Sequence, residues 1–413
     1  MATELTKQFS TRQIQEIKSD PALRLFAILI GLMNLFTIVY WIEGNYLRTY
    51  LGTESISICW PLLTFCRSWH GISKDLLVAI VATLIIPALI VILTFSQNKN
   101  IRVGYWAIWL ILVCECLLVL SDFRFRKNQH YMIFWVTFIF LAWPCKRQTL
   151  PLLIGMFYFW AGVIKLNYGW LSGNNIYRSF YLLPPEYVPL ACKYVVFLEL
   201  VAVWGLFSKN NFLFWFCFLQ FVLFHILSWP IVGFFYPTVM LTLILAIPIF
   251  RTIRLDSNQT SSAQDSTTLK HSTVAIIGVF CCLQMIPKII PGDSAITGEG
   301  RMWALHMFDG ITVCEGSAIN RYPDGHSETE SIVAGWDIRI ACDPIQFWNL
   351  GQNLCHKKLI GKDNFVDFDL KVRIRFKSES DEQYRNVIDI SGFCEKKIKY
   401  NPFFHNDWIS TAP

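Results

Sequence analysis

A bundle of membrane-spanning helices carrying a C-terminal β-rich domain is the fold the sequence predicts, and three observations predict it. Of 413 residues, 54% are hydrophobic and only 16% are charged. The apolar residues fall in blocks of span length rather than in amphipathic stripes. From residue 292 the composition turns polar, and Phe368, Leu370, Val372, Ile374 and Phe376 alternate with Asp369, Lys371, Arg373 and Arg375, the period of a strand with one buried face. The chain therefore divides into a cytoplasmic leader over 1–22, a helical membrane domain over 23–291 and a lumenal or extracytoplasmic β-sandwich-like domain over 292–413.

The leader is polar and offers a turn or two of interfacial helix between Thr11 and Ile17. No small-residue cleavage site follows the first apolar block, which reads as a retained span and not as a signal peptide. Spans are expected at 23–41, 76–96, 103–120, 131–143, 150–165, 194–207, 212–229, 231–250 and 273–291, about nine at the length a bilayer requires. Residues 42–75 are too polar to cross, 166–193 form a Gly-, Pro- and Tyr-rich irregular loop on the membrane surface, and 251–271 form a flexible Ser/Thr/Gln-rich linker. In the polar C-terminal region, short strands are expected at 336–342 and 386–391, with a helix over 345–359 capped by Asp343 and carrying Pro344 in its first turn.

Orientation follows from the short turns. If the spans alternate, the leader, 97–102, 144–147, 208–211 and 251–271 share one face, and four of these five are basic. That face is cytoplasmic. The basic turn 122–128 falls on the other face and breaks the rule. The expected protein is an integral, multi-pass membrane protein with a cytoplasmic N-terminus and a lumenal or extracytoplasmic C-terminal domain. Its membrane would be the endoplasmic reticulum in a eukaryote or the inner membrane in a bacterium.

Several function classes are excluded. The net charge of +6 comes from Lys and Arg flanking the spans, and no basic tract interleaved with aromatics points to nucleic acid. No C-x-x-C with zinc-ligand spacing supports a metal. Of 13 cysteines, Cys114, Cys116, Cys217, Cys281 and Cys282 sit inside apolar blocks as small hydrophobes, whereas Cys59, Cys66, Cys314, Cys342, Cys355 and Cys394 sit in polar segments. In an oxidising compartment some of the second group pair. No nucleophile elbow, phosphate-cradling loop or dinucleotide fingerprint is present.

Chemistry, if there is any, rests on polar groups within spans. Lys165 ends an aromatic run, and a lysine there either snorkels its charge to the headgroups or serves as a base in a dry pocket. Glu199 is an intramembrane carboxyl, a group that faces a cavity or pairs with a base. His130 stands at the mouth of a span on the same face as Lys165, where the two can meet. His225 is placed to hydrogen-bond a neighbouring helix.

These residues stand in a familiar order. Ala161-Gly-Val-Ile-Lys165-Leu-Asn-Tyr-Gly-Trp170-Leu-Ser-Gly173 resembles the lysine motif of the vitamin K-dependent gamma-glutamyl carboxylases, within the wider family called the horizontally transferred transmembrane domain. Asn128-Gln-His130-Tyr131 and Phe224-His225 with Gly233, Pro237 and Met240 resemble two further blocks. Trp303 with Met307, Arg321-Tyr-Pro-Asp324-Gly325 and the segments 347–355, 366–370 and 386–390 are similar to successive blocks of that family's lumenal domain.

The resemblance implies a lyase that converts protein glutamate to gamma-carboxyglutamate. It uses vitamin K hydroquinone as cofactor with CO2 and O2 as co-substrates, and epoxidises the quinone. It implies Lys165 as the base toward the quinol, assisted by His130, with His225, Trp170, Asn128, Trp303 and Met307 supporting or lining the pocket; Glu199 is set beside them on its own place in an apolar span. It also implies a disulfide between Cys59 and Cys355. The partners are then a glutamate-containing protein or peptide and membrane lipid. Two other readings stand beside it. One is a quinol-oxidising relative that does not carboxylate protein; the other is a non-enzymatic binding or transport module in which Lys165 and Glu199 form a buried ion pair.

Overall fold

The structure is a computed structural model that describes residues 2–52, 57–63, 66, 71–174, 176, 183–253, 265–305, 312–332, 341–359, 365–377 and 379–411. A first helix, α1 (Ala2–Ser19), is longer than the leader's composition signals. Asp20 then accepts the Ala22 amide, and Pro21 opens α2 (Pro21–Glu43). A short α3 (Tyr46–Leu51) precedes α4 (Lys74–Ser96) and α5 (Ile101–Ser121). Next come α6 (Asn128–Ala142), α7 (Lys146–Ile164) and the single turn α8 (Tyr168–Leu171). Then follow α9 (Val188–Leu200), α10 (Asn211–Val232), α11 (Phe235–Thr252) and α12 (Asp265–Ile289). The expected surface loop and linker are thus partly helical, through α8 and the first turns of α9 and α12.

Among the described residues, seven helical segments are long and apolar enough to cross a membrane: 21–43, 74–96, 101–121, 185–207, 211–232, 235–252 and 271–289. Their outward faces are apolar as well. Phe212 is 79% exposed and Val274 69%, and Val78, Leu93, Trp106 and Phe216 join them, a surface suited to lipid rather than water. The remaining two expected spans are α6 and α7. With 15 residues, α6 rises about 22 Å, short of the ~30 Å hydrocarbon core. α7 is the hub of the bundle and contacts α2, α6, α9, α11 and α12.

Two basic turns are tied up in tertiary contacts. Lys146 is fully buried, donating to Gln13, to Glu16 at 2.9 Å and to the Trp143 carbonyl at 2.9 Å, while Arg147 pairs with Asp20 at 2.8 Å. Together they fasten α1 to the end of α7. On the opposite turn, Arg124 grips Asp122 through Nε and Nη2, both at 2.8 Å, and lies 4.4 Å from the Tyr50 ring. Arg126 donates to the carbonyls of Met302 and Ala304. The turn that broke the charge rule therefore spends Arg124 on fixing itself to Asp122 and α3, and Arg126 on holding the C-terminal region against the bundle.

After the turn α13 (Ser294–Thr297), the C-terminal region forms one antiparallel sheet of β1 (Thr312–Arg321), β2 (Ser327–Ile332), β3 (Asp367–Phe376) and β4 (Arg385–Ile390), in the order β2-β1-β3-β4. The alternation read over 368–376 is β3, and its Phe368, Leu370, Val372 and Ile374 are fully buried. Helix α14 (Pro344–Leu359) starts where Asp343 accepts the Ile345 amide, and sets Ile345, Phe347 and Trp348 in the same core. A sandwich would need a second sheet; among the described residues α14 occupies that position. The β1–β2 hairpin was not signalled, because β2 is exposed along most of its length and so carries no apolar alternation. Its turn is legible in hindsight: Asp324 accepts the His326 amide and Gly325 takes φ +84°, a conformation side chains resist. The strand expected at 336–342 lies mostly outside the described residues.

All six cysteines of the polar segments pair, as Cys59–Cys66, Cys314–Cys342 and Cys355–Cys394. This corrects the Cys59–Cys355 bridge implied by resemblance. Each sulfur forms one bond, and each cysteine meets a different partner at a Cα separation of 5.6 Å for Cys59 and 5.5 Å for Cys355. The two segments still meet: Asn349 of α14 accepts the Cys59 amide and donates to its carbonyl, both at 3.0 Å.

The C-terminal region also holds a buried polar knot. Glu299 accepts from the Asn406 amide at 2.7 Å, from its side chain at 2.8 Å and from His405 at 2.8 Å. Burial pushes the nearby Asp343 carboxyl up to about 6, against the pull of Arg301 and Arg126. A carboxyl whose folded value exceeds its unfolded value loses stability as pH rises through that window, here from about 4 to about 6. Asp343→Asn, which retains a capping oxygen, is expected to remove about 3 kcal/mol of this loss. Thermal unfolding at pH 4 and pH 7 checks it, and an unchanged pH slope in the variant refutes it.

Candidate functional site

The site grows from the end of α7. The Lys165 amide still donates to Ala161 and Gly162, at 3.3 and 3.1 Å, but Asn167 then turns the chain. Its side chain donates to the Ile164 carbonyl at 3.0 Å and accepts the Trp170 amide at 2.9 Å, ending one helix and starting α8. Trp170 is fixed in turn by its indole N–H, which donates to the Cys192 carbonyl of α9 at 3.0 Å. Lys165 is therefore held on a rigid corner and not on a loose loop.

Its partner arrives because Gly162 has no side chain. A Cβ there would meet Leu200 at 2.9 Å and the Glu199 Cβ at 3.0 Å, so any larger residue must displace the Leu200 side chain or part α7 from α9 at this point. The Lys165 Nζ then donates to both carboxylate oxygens of Glu199 at 2.6 Å, with 2% and 0% side-chain exposure. The Trp170 ring lies 5.3 Å from the same nitrogen. Snorkelling is thus excluded: the charge is satisfied inside the protein.

His225 joins this centre. Its Nε2 is 2.8 Å from the Tyr158 hydroxyl, and its ring packs 5.8 Å from Tyr236, while its Nδ1 has no partner among the described residues. Lys165, Trp170, Phe224 and Tyr236 then line a cavity of about 280 Å³ whose other walls are mostly aliphatic side chains of α9 and α10. A buried acid–base pair on the wall of an apolar cavity can hold a lipid-soluble molecule and exchange a proton with it.

His130 goes elsewhere. Its Nδ1 lies 2.5 Å from the Phe125 carbonyl, and its ring sits between Trp41 and Phe235 at 5.2 and 5.6 Å. No contact joins it to Lys165 among the described residues, because the loop before α6 claims its ring. Instead it lines a second cavity with Trp303, which stacks on Phe403 and accepts the Tyr131 hydroxyl at 2.7 Å. Asn128 is buried as the first residue of α6, and Met307 lies outside the described residues.

Sequence reasoning passed over Tyr158, Tyr236 and Glu115. The first two carry no signal among so many aromatics. Glu115 does: it is a lone acid between Cys114 and Cys116 in an otherwise apolar span, and it lines the second cavity. The described residues hold no cluster of three or more His, Cys, Asp or Glu that could bind a metal ion. The chain matches no known protein family, no curated protein and no solved structure.

Proposed function

We propose that the protein is a multi-pass membrane enzyme of lipid-quinol chemistry, of the vitamin K-dependent carboxylase type, with Lys165 as its base. The observation that carries this reading is the Lys165–Glu199 pair on the wall of an apolar cavity. A quinol ring fits walls of this chemistry, and its hydroxyl would meet the Lys165 amine. Reduced vitamin K, when bound, supplies the reducing equivalents that turn O2 into a base strong enough to deprotonate a glutamate gamma carbon for capture of CO2. The chain's own task is smaller. When the shared proton rests on Glu199, Lys165 presents a free lone pair; Trp170 and the aliphatic walls exclude water that would otherwise quench a reactive anion.

On this reading α6 and α7 complete nine spans, the N-terminus is cytoplasmic and the sheet domain is lumenal or extracytoplasmic. Three disulfides support an oxidising face there. The membrane is the endoplasmic reticulum or, in a bacterium, the inner membrane, and the partner is a glutamate-containing polypeptide.

One observation favours a second reading. Glu199 engages the Lys165 ammonium with both oxygens, as a structural ion pair in a binding or transport module would. Detergent-solubilised protein with reduced vitamin K, a glutamate peptide and labelled bicarbonate separates the readings. Label incorporated by wild type and lost in a folded Lys165→Ala variant is the expected result. Epoxide without label would reduce the activity to quinol oxidation. Neither product would leave the ion-pair module.

A further inference from the structure

The second cavity, about 610 Å³, is built for something other than water. Trp41, Trp60, Trp135 and Trp303 line it, and it reaches the lipid-facing surface where Leu120 and Phe134 are exposed. A ligand entering there comes from the bilayer. Into these walls α5 brings Glu115, which has no hydrogen bond or ion pair among the described residues. From Ser121, the last residue of α5, it lies six residues back, about 9 Å deeper along the axis. A carboxylate so placed is costly until a cation joins it.

His130 adds a second acceptor. Its Nδ1 must donate to the Phe125 carbonyl, which leaves Nε2 of the neutral ring as a lone pair, buried and without a partner among the described residues. The cation that lines the cavity among the described residues does not fill the need. Arg126, in the loop before α6, is committed to the Met302 and Ala304 carbonyls and to the Tyr131 ring at 5.3 Å.

A carboxyl, an imidazole lone pair and the indole N–H of Trp135, each unpartnered among the described residues, together with four tryptophan side chains and an opening to lipid, suit an amphiphile with a cationic head. We propose that this cavity binds a long-chain primary amine, its ammonium on Glu115 and its alkyl chain along the tryptophan walls. An ammonium supplies the missing charge, several N–H donors and a cation for the aromatic faces. An alcohol supplies one donor and no charge.

The test uses the full chain in detergent with a photoactivatable dodecylamine, competed by unlabelled dodecylamine or dodecanol. Cross-links are expected on α5 and α6, with the amine competing at least about tenfold better than the alcohol. Glu115→Gln should erase that preference and Glu115→Asp should keep it, with unfolding midpoints reporting that both variants fold. Equal competition by amine and alcohol, an unaltered preference in Glu115→Gln, or labelling confined to α8–α10 would each overturn the assignment.

Discussion

Truncating Glu199 to alanine is expected to destabilise the protein by about 3–5 kcal/mol, because it leaves the Lys165 ammonium buried with no counter-charge. The two side chains are 2% and 0% exposed and share two contacts of 2.6 Å, so neither water nor a neighbouring carboxylate among the described residues takes over. Removing both charges is a different matter. Lys165→Met with Glu199→Leu replaces the pair by apolar groups of similar length and should recover most of the loss. Unfolding of the four proteins, arranged as a double-mutant cycle, gives the coupling directly. A Glu199→Ala loss below about 1 kcal/mol would show the pair to be wetted and unimportant to the fold. The double variant also sharpens the functional question. Folded and inactive, it places the Lys165–Glu199 pair in the chemistry; folded and fully active, it removes Lys165 from the chemistry.

The second large effect is expected from the Cys355–Cys394 bridge, which spans 39 residues of sequence. Closing a loop of that length removes chain entropy from the unfolded state worth about 4 kcal/mol. Replacing both cysteines by serine should lower the stability of the C-terminal region by roughly 2–5 kcal/mol while leaving the helical bundle folded. The two parts have separate cores, one centred on α2, α7 and α11 and the other on β3 and α14. Limited proteolysis checks this: cleavage should appear first within 312–411 in the variant. Cleavage beginning within the span helices would show that the bundle depends on the sheet domain for its stability.

Much of the architecture was readable because it is periodic. Span-length apolar blocks announce α2, α4, α5 and α10 without any tertiary knowledge, since a helix facing lipid must be apolar all round. The period of two in β3 and the Asp343-Pro344 start of α14 were equally plain. Less was readable where partners replace periodicity. The β2 strand is polar because its side chains are solvated, and its pairing to β1 leaves no mark in its own sequence. The leader lacks apolar blocks, yet forms a helix whose Gln13 and Glu16 meet Lys146 from far along the chain.

The same division runs through the site. Lys165 and Glu199 were legible as charges that an apolar segment does not tolerate alone. That they satisfy each other, the pair expected of a binding or transport module, is borne out by a 2.6 Å contact formed where Gly162 lets α7 and α9 touch. His130 drew attention by its position at a span mouth, but the Phe125 carbonyl turned it away from Lys165 and toward the cavity of Glu115. Cysteine positions marked an oxidised region, whereas which sulfurs bond depended on segments meeting in space. By itself the sequence determined where apolar length, strand period and unpaired charge fall, because those are local costs of solvation. Only the tertiary structure decided which groups repay those costs, because a partner tens of residues away is a property of packing and not of any one segment.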